Sequence, residues 1–403
     1  MSRPALPPGP YLVVGLARSG VAAARMLRDH GKVIGCDSGS PEPPEGVEVH
    51  LGTDGVALLD GVRTLVKSPG VPREAAVVQR ALERGIEVSG ELELAWRLLP
   101  NRFIAVTGTN GKTTTVELLG EMHRAAGVPV AVAGNVGTPL AALVGQTDPG
   151  AVVVCECSSF QLEDASAFAP ECAVLLNIEP DHLDRHGDVE RYTQAKLRVF
   201  ANQGPGDVAL KPPFAWPEEL DLEPSEVRLR GAHNLDNAKA AAAAALSTGL
   251  PAGAVAATLR SFAGVAHRLE EVAEIGGVLY VNDSKATNVA AALRGIEAFD
   301  GGVHAILGGS LKGGDFKALR DALAARGRAC YLIGAAAERL AKDLDGTVPL
   351  LPCGTLERAV EEAADAAMPG EVVLLSPACA SYDRYRDFEE RGEHFRTLVR
   401  GRA

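Results

Sequence analysis

The sequence predicts an α/β protein of three consecutive units, each a largely parallel sheet flanked by helices. Three observations carry this. The chain opens on a strand, a glycine turn, a helix and a second strand, "YLVVGLARSGVAAARMLRDHGKVIGCD" at 11–37. A further buried strand, "FIAVT" at 103–107, runs straight into a loop rich in glycine and threonine. From about residue 265 the strands "VLYVN", "VHAIL", "ACYLI", "VPLL" and "EVVLL" alternate with helical stretches. That alternation is the pattern of a mostly parallel sheet wrapped by helices. A length of 403 residues allows two to four domains, and the expected divisions are 1–90, 91–264 and 265–403.

The first unit begins with the buried strand "YLVV". Gly15, Ala17 and Gly20 then stand at the positions of a G-x-G-x-x-G turn. Alanine at the middle position keeps a ligand backbone at a distance. A nucleotide-like ligand between Gly15 and Asp37 is therefore expected rather than a dinucleotide, with a ligand-free turn as the alternative. "LVKSPGVP" at 65–72 reads as a strand entering a Pro-Gly turn, and "ELELAWRLLPNR" as a helix leading into the second unit. There a helix is expected over 112–126, strands at "AVVVC" and "ECAVLLN", and a helix at 188–203. An irregular Pro-rich stretch at 204–230 and the alanine-rich helix "AHNLDNAKAAAAAALSTGL" follow. "SFAGVAHRLEEV" reads as a boundary.

Composition narrows the function. A net charge of −12 and a pI near 5.3 argue against a general nucleic-acid binder. No apolar run approaches the length of a membrane span, and the N-terminus lacks the features of a signal peptide. The seven cysteines contain no CxxC pair. Cys155 and Cys157 are expected as small buried residues rather than zinc ligands. A cytoplasmic enzyme is the expectation.

The chemistry-bearing motifs lie at strand ends. "VTGTNGKTTT" at 106–115 departs from strict G-x-x-x-x-G-K-[ST], because Val106 stands at the first glycine position. Its "GKT" tail and its strand–loop–helix setting remain, so phosphate is expected at the helix N-terminus. Lys112 supplies charge there, and Thr113 a hydroxyl suited to Mg²⁺. Glu156 ends a strand near this loop and is a natural Mg²⁺ ligand. Asp181, His182 and Asp184 follow another strand. Lys196 falls on a helical stripe with Val189, Tyr192, Val199 and Phe200. A cation on a core-facing stripe is costly, so either it snorkels or desolvation lowers its pKa and leaves a nucleophilic amine. In the third unit three strand-end loops, "NDSKATN", "GGSLKGGDF" and "SPACASYDRYRDFEERG", suggest one anionic ligand at a shared edge.

These motifs, together with "GNVGTP", "CECSSFQLE", "NIEPDHLDRHG", "YTQAKLRVF", "GAHNLDNA" and "AHRLE", resemble the Mur ligase family over nearly the whole chain. "SSFQLE" and "SPACAS…FEERG" point to its D-glutamate-adding branch. The resemblance implies an N-terminal Rossmann-like domain for a UDP substrate, a central P-loop ATPase and a C-terminal Rossmann-like domain. It also implies that ATP phosphorylates the carboxylate of UDP-MurNAc-L-Ala, and that D-glutamate attacks the acyl phosphate through a tetrahedral intermediate. Phosphates would lie on Gly108, Thr109, Asn110, Gly111, Lys112, Thr113 and Thr114. One Mg²⁺ would take Thr113 and Glu156, and a second His182 and a carbamylated Lys196. Asn234, Asn237, Arg268 and Asp283 would surround the nucleotide, and Lys285 would sit by the phosphate. Ser19, Asp37, Ser38, Gly70 and Asn135 would serve the UDP substrate, and Ser158 would be a further substrate-binding residue. Thr287, Lys312, Ser381, Tyr382 and Phe388 would serve D-glutamate. A monomer in peptidoglycan precursor synthesis, with no nucleic-acid or membrane partner, is implied. Arg18, Tyr382 and the short 204–230 segment depart from the family pattern. A folylpolyglutamate synthase, a nicotinamide dehydrogenase and a P-loop switch are the rival readings.

Overall fold

The computed structural model describes residues 3–229, 231–311 and 315–402, leaving aside the side chain of Asp184. The chain forms two compact units, residues 1–227 with 232–262, and residues 228–231 with 263–403. Among the described residues the strands make three sheets, two in the first unit and one in the second.

The first sheet contains β1 (Tyr11–Val14), β2 (Val33–Asp37), β3 (Glu48–Leu51), β4 (Thr64–Lys67) and β5 (Glu87–Gly90), all parallel, in the order β3-β2-β1-β4-β5. Every residue of β1 and β4 is buried, as expected for central parallel strands covered on both faces. Helix α1 (Arg18–Leu27) connects β1 to β2, α2 (Ala76–Glu83) connects β4 to β5, and α3 (Glu91–Leu98) leads onward. The edge strand β3 has no signature in the sequence, because "EVHL" is half polar and leaves no buried residue.

The second sheet has the order β10-β9-β6-β8-β7, again parallel. Its elements are β6 (Arg102–Thr107), α4 (Lys112–Ala125), β7 (Val130–Gly134), β8 (Val152–Glu156), α5 (Ser159–Glu163), β9 (Cys172–Leu175), α6 (Leu183–His186), α7 (Val189–Leu197), β10 (Val208–Leu210), α8 (Ala232–Ser247) and α9 (Ala252–Ser261). Two expectations need correction. The helix expected over 188–203 ends at Leu197 and tightens into a 3-10 turn, Arg198–Phe200. The 204–230 stretch also contributes β10, which pairs with β9.

One apolar core spans both sheets of this unit, from Tyr11 and Leu27 to Phe103 and Phe168. Buried polar bridges reinforce it. The Lys67 ammonium meets Asp164 at 2.7 Å with both side chains inaccessible. Glu93 accepts from the Phe168 N–H at 2.9 Å and pairs with Arg97 at 2.8 Å. Such satisfied networks fix one arrangement where an apolar contact alone would allow several.

The second unit carries β11 (Glu270–Ile275), β12 (Val278–Asn282), α10 (Val289–Glu297), β13 (Val303–Gly308), α11 (Arg320–Arg326), β14 (Gly327–Ile333), α12 (Ala337–Leu344), β15 (Leu350–Gly354), α13 (Leu356–Ala366), β16 (Val372–Leu375) and α14 (Phe388–Arg400). The sheet order is β11-β12-β16-β13-β14-β15, and β11 runs antiparallel to β12. Its sequence, "EEVAEI", is too acidic to read as a strand, yet it lies on the sheet edge where one side faces water. No helix among the described residues is long and apolar enough to cross a membrane.

Candidate active site

Strand β6 lies between β8 and β9, so the loops leaving these three strands meet at one sheet edge. The loop after β6 enters α4 through Gly111, at φ +84, with no side-chain cap. The first amides of α4 are thereby left for an anion. Lys112 Nζ donates to the carbonyls of Gly108 at 2.9 Å and Thr109 at 3.0 Å. Asn177 and Glu179, from the loop after β9, hold the outer side: Asn110 N–H donates to Asn177 Oδ1 at 2.9 Å, and Asn110 Nδ2 to Glu179 Oε2 at 2.9 Å. Thr114 is buried in the first turn of α4.

Glu156 closes β8 and is 2% exposed. Thr113 Oγ1 donates to its Oε2 at 2.8 Å, and Asn135 Nδ2 to its Oε1 at 3.2 Å. A hydroxyl and a carboxylate side by side are hard oxygen donors that fit Mg²⁺. Among the described residues no group of three or more His, Cys, Asp and Glu side chains is arranged to hold a metal by itself. Cys155 and Cys157 are both buried with sulfurs 3.8 Å apart, and their mutual contact, then burial, pushes the Cys155 thiol pKa up.

Behind the loop, α8 presents Asn234 and Asn237, buried and joined at 3.2 Å. A Cβ on Gly111 would stand 2.0 Å from Asn237 Oδ1. Gly111→Ala is therefore expected to displace α8 from the loop and to strain a positive φ. We expect nucleotide affinity to fall tenfold or more, and stability by about 1–3 kcal/mol. Calorimetric titration with ATP and a urea melt would check it; an unchanged affinity would mean the loop does not need this close approach.

Lys196 faces inward on α7 and is 2% exposed. Its Nζ donates to Gly108 O at 2.8 Å, the carbonyl that also receives Lys112. It lies 4.5 Å from the centroid of the Tyr192 ring. Burial first, and the Lys112 charge second, push its pKa down to about 7. The stripe expected around it holds for Tyr192 and Val199 but not for Val189, which is 38% exposed. Val189 opens α7 directly after its Asp188 cap, and this first turn faces outward. His182 precedes α6 at φ +52, with its ring 5.0 Å from Phe160 and 6.3 Å from Tyr192. Lys196 and His182 thus flank the same tyrosine, whose hydroxyl donates to Thr109 Oγ1 at 3.1 Å. The side chain of Asp184 lies outside the described residues.

Within the same unit a cavity of about 610 Å³ opens at the carboxyl end of the first sheet. Ser19, Asp37, Ser38, Gly70 and Asn135 all line it. Asp37 braces its wall, accepting from the Leu16 N–H at 2.6 Å and the Gly39 N–H at 2.7 Å. Asn135 is also the partner of Glu156, so the cavity ends one hydrogen bond from that carboxylate. Ser158 caps α5, accepting from the Gln161 N–H at 3.3 Å.

In the second unit the Asp283 carboxyl is buried, accepting from Ser376 Oγ at 2.7 Å and the Leu269 N–H at 3.2 Å. Burial raises its pKa to about 7, opposed by those hydrogen bonds and by the charges of Arg268 and Lys285. Lys285 Nζ is 5.9 Å from the Phe388 ring centroid. The Thr287 N–H turns back onto Lys285 O at 2.8 Å. Ser381 is buried and its carbonyl accepts from Tyr385 N–H at 2.9 Å, whereas Tyr382 is 65% exposed. Lys312 lies outside the described residues. Arg268, Asp283, Lys285, Thr287, Ser381 and Phe388 thus belong to this unit, and the phosphate loop, Glu156, His182, Lys196, Asn234 and Asn237 to the other.

Residues 106–212 match the Mur ligase middle domain, and residues 267–379 the Mur ligase glutamate ligase domain. A UDP-N-acetylmuramoylalanine--D-glutamate ligase of Acidobacterium capsulatum is 42% identical over 96% of this chain and 95% of its own. One from Anaeromyxobacter dehalogenans is 40% identical over the full length of both. This chain belongs to the UDP-N-acetylmuramoylalanine--D-glutamate ligase family. Members of this family are ATP-dependent Mur ligases. Among solved structures, the UDP-N-acetylmuramate-alanine ligase MurC of Thermotoga maritima aligns with a TM-score of 0.61 at 17% identity, covering 98% of this chain and 99% of that one. The MurF ligase of Thermotoga maritima, in complex with ADP, aligns with a TM-score of 0.58 at 18% identity, covering 99% and 96%. These two likenesses show the fold.

One buried cation lies inside the motif "SPACASYDRYRDFEERG" yet is not among the expected site residues. Arg391, on α14, is 1% exposed. Its guanidinium donates to Ser284 Oγ at 2.9 Å, Ser284 O at 2.8 Å and Cys379 O at 3.2 Å, with longer bonds to Gly308 O and Ala380 O. A signal for it exists: Arg391 shares a helical face with the apolar Phe388, Phe395 and Val399, the same anomaly that singles out Lys196.

Proposed function

We propose that this chain joins D-glutamate to the L-alanyl carboxylate of UDP-MurNAc-L-Ala using ATP, a cytoplasmic step of peptidoglycan precursor synthesis performed by a monomer. The observation that carries the reading is the pair of lysines on one carbonyl, Lys112 and Lys196 on Gly108 O. A generic phosphate loop needs the first lysine only. The second, desolvated and within electrostatic reach of Glu156, is the amine to expect where a second cation is to be held.

Residues 1–90 would bind the UDP substrate, 91–264 ATP and 265–403 D-glutamate. The 610 Å³ cavity would hold the UDP portion, with its acyl end directed towards Asn135 and Glu156. Ser158, two residues beyond Glu156 at the cap of α5, would also contact substrate. Amides from Gly108 to Thr114 and the Lys112 ammonium would hold the ATP phosphates. Thr113 and Glu156 would hold one Mg²⁺, and His182 and the carbamate of Lys196 a second; these cations supply neutralising charge on the transferring phosphoryl group. The carbamate would form when the neutral Lys196 amine adds to CO2 and loses a proton. The substrate carboxylate displaces ADP from the γ-phosphorus, giving an acyl phosphate. The D-glutamate amine then adds to the acyl carbon, and collapse of the tetrahedral species expels phosphate and leaves the amide. Asn234, Asn237, Arg268 and Asp283 would bind the nucleotide, and Lys285 the transferring phosphate. Thr287, Lys312, Ser381, Tyr382 and Phe388 would receive D-glutamate.

Phosphate release from MgATP tests the reading. It should require UDP-MurNAc-L-Ala and D-glutamate together and should not proceed with L-glutamate or a folate. Release that ignores both substrates would overturn it.

A further inference from the structure

The loop after β16 contains a carboxylate with no part in the reaction above. Asp383 lies two residues beyond Ser381, and its oxygens have separate partners. Ser310 Oγ donates to Oδ1 at 3.3 Å, and the Ala335 N–H donates to Oδ2 at 3.0 Å. Ser310 follows β13, and Ala335 lies in the turn between β14 and α12. Because β16, β13 and β14 are neighbours, one side chain ties together the loops of three adjacent strands.

The backbone beneath is shaped for that carboxylate. Gly334 has φ +66, and a Cβ there would stand 2.2 Å from Asp383 Oδ2 and 2.9 Å from Gly309 Cα. At Gly309 a Cβ would stand 2.2 Å from Ala380 O. The Ser310 N–H donates to that same Ala380 carbonyl at 2.8 Å. The segment is therefore gripped at Ala380 and again at Asp383, with Ser381 between. An aspartate that merely faced water would need no glycine under it.

We propose that Asp383 is a positioning residue that sets Ser381 for the amino-acid substrate, with Gly334 as the seat of its carboxylate. The proposal rests on the reading of Ser381 as part of the D-glutamate pocket. Steady-state kinetics of the full chain should show Asp383→Leu raising KM for D-glutamate tenfold or more, with KM for ATP and UDP-MurNAc-L-Ala within twofold. Asp383→Asn keeps an acceptor for Ala335 N–H and a donor for Ser310 Oγ, and should stay within about threefold of wild type. Gly334→Ala, which leaves Asp383 in place but unseats it, should reproduce the leucine phenotype. Hydrogen exchange over 376–388, read without substrate, should quicken in Asp383→Leu and Gly334→Ala but not in Asp383→Asn. Unchanged exchange and an unchanged D-glutamate KM in both disruptive variants of an active ligase would overturn the proposal, as would an equal rise in all three KM values. Quickened exchange in a protein that has no D-glutamate-dependent activity at all would instead sink the functional reading and keep the latch.

Discussion

Replacing Lys196 by methionine is expected to lower kcat by about 10³-fold or more while leaving the protein at least as stable at pH 6. The catalytic loss follows if the side chain is the anchor of a metal ligand, because no thioether can add CO2. The stability argument is independent of the chemistry. Burial and the Lys112 charge hold the folded-state pKa near 7, against an ordinary value of 10.5. Between these values the unfolded chain binds a proton that the folded chain does not, so wild-type stability rises with pH across the window. Below about pH 7 the folded protein carries the full cost of a buried ammonium. Methionine removes that cost, and it also forfeits the bond to Gly108 O, worth about 1 kcal/mol. The variant should therefore match or exceed wild type by about 1–3 kcal/mol at pH 6, and the advantage should shrink towards pH 10. Urea melts in bicarbonate-free buffer at both pH values would measure this. ¹³C-bicarbonate added to wild type should give a lysine-carbamate carbonyl resonance that the variant lacks. Activity within tenfold of wild type would sink the catalytic half. A loss above about 2 kcal/mol at pH 6 would sink the other.

Lys196 also shows why part of this site is legible in the sequence. Helical spacing places it between Tyr192 and Val199, and those neighbours are indeed buried with it. Glu156 is legible for a similar reason, since four apolar residues before it put it at a strand end. The central parallel strands, such as β1, β6, β9 and β16, are legible as continuous apolar runs. The strands that escape, β3, β5, β7, β10 and β11, are short or only partly buried, and their places depend on pairing with a neighbour rather than on their own pattern. The paired role of Asn135 is equally out of reach. It stands 21 residues before Glu156 in sequence and meets it only because β7 and β8 pair with Gly134 opposite Glu156. Contacts of that kind are set by sheet order, which single-sequence periodicity does not encode.

Arg391→Ala should cost about 3–5 kcal/mol in the unit formed by residues 263–403, the largest stability effect expected of any single change here. The guanidinium reaches across from α14 to carbonyls on three strand-end loops, at Ser284, Gly308 and Cys379 to Ala380. Truncation leaves those buried acceptors without donors, at about 1–3 kcal/mol for each that water cannot reach. It also leaves a cavity where the arginine stem packed. Burial lowers the Arg391 pKa to about 10, so it remains charged at working pH, supported by the negative side chain of Asp383 among others. Lysine in its place offers one point charge and cannot span three loops, so Arg391→Lys should recover less than half of the loss. Calorimetry of the full chain should show the melting of residues 263–403 moving to lower temperature, because this unit carries apolar clusters of its own. The loops joined by Arg391 also present Lys285 and Ser381, so at a temperature where the variant is folded its KM for D-glutamate should rise by more than its KM for ATP. A cost under 1 kcal/mol would mean that water replaces the arginine without penalty, and that the loops are held together by their backbone bonds alone.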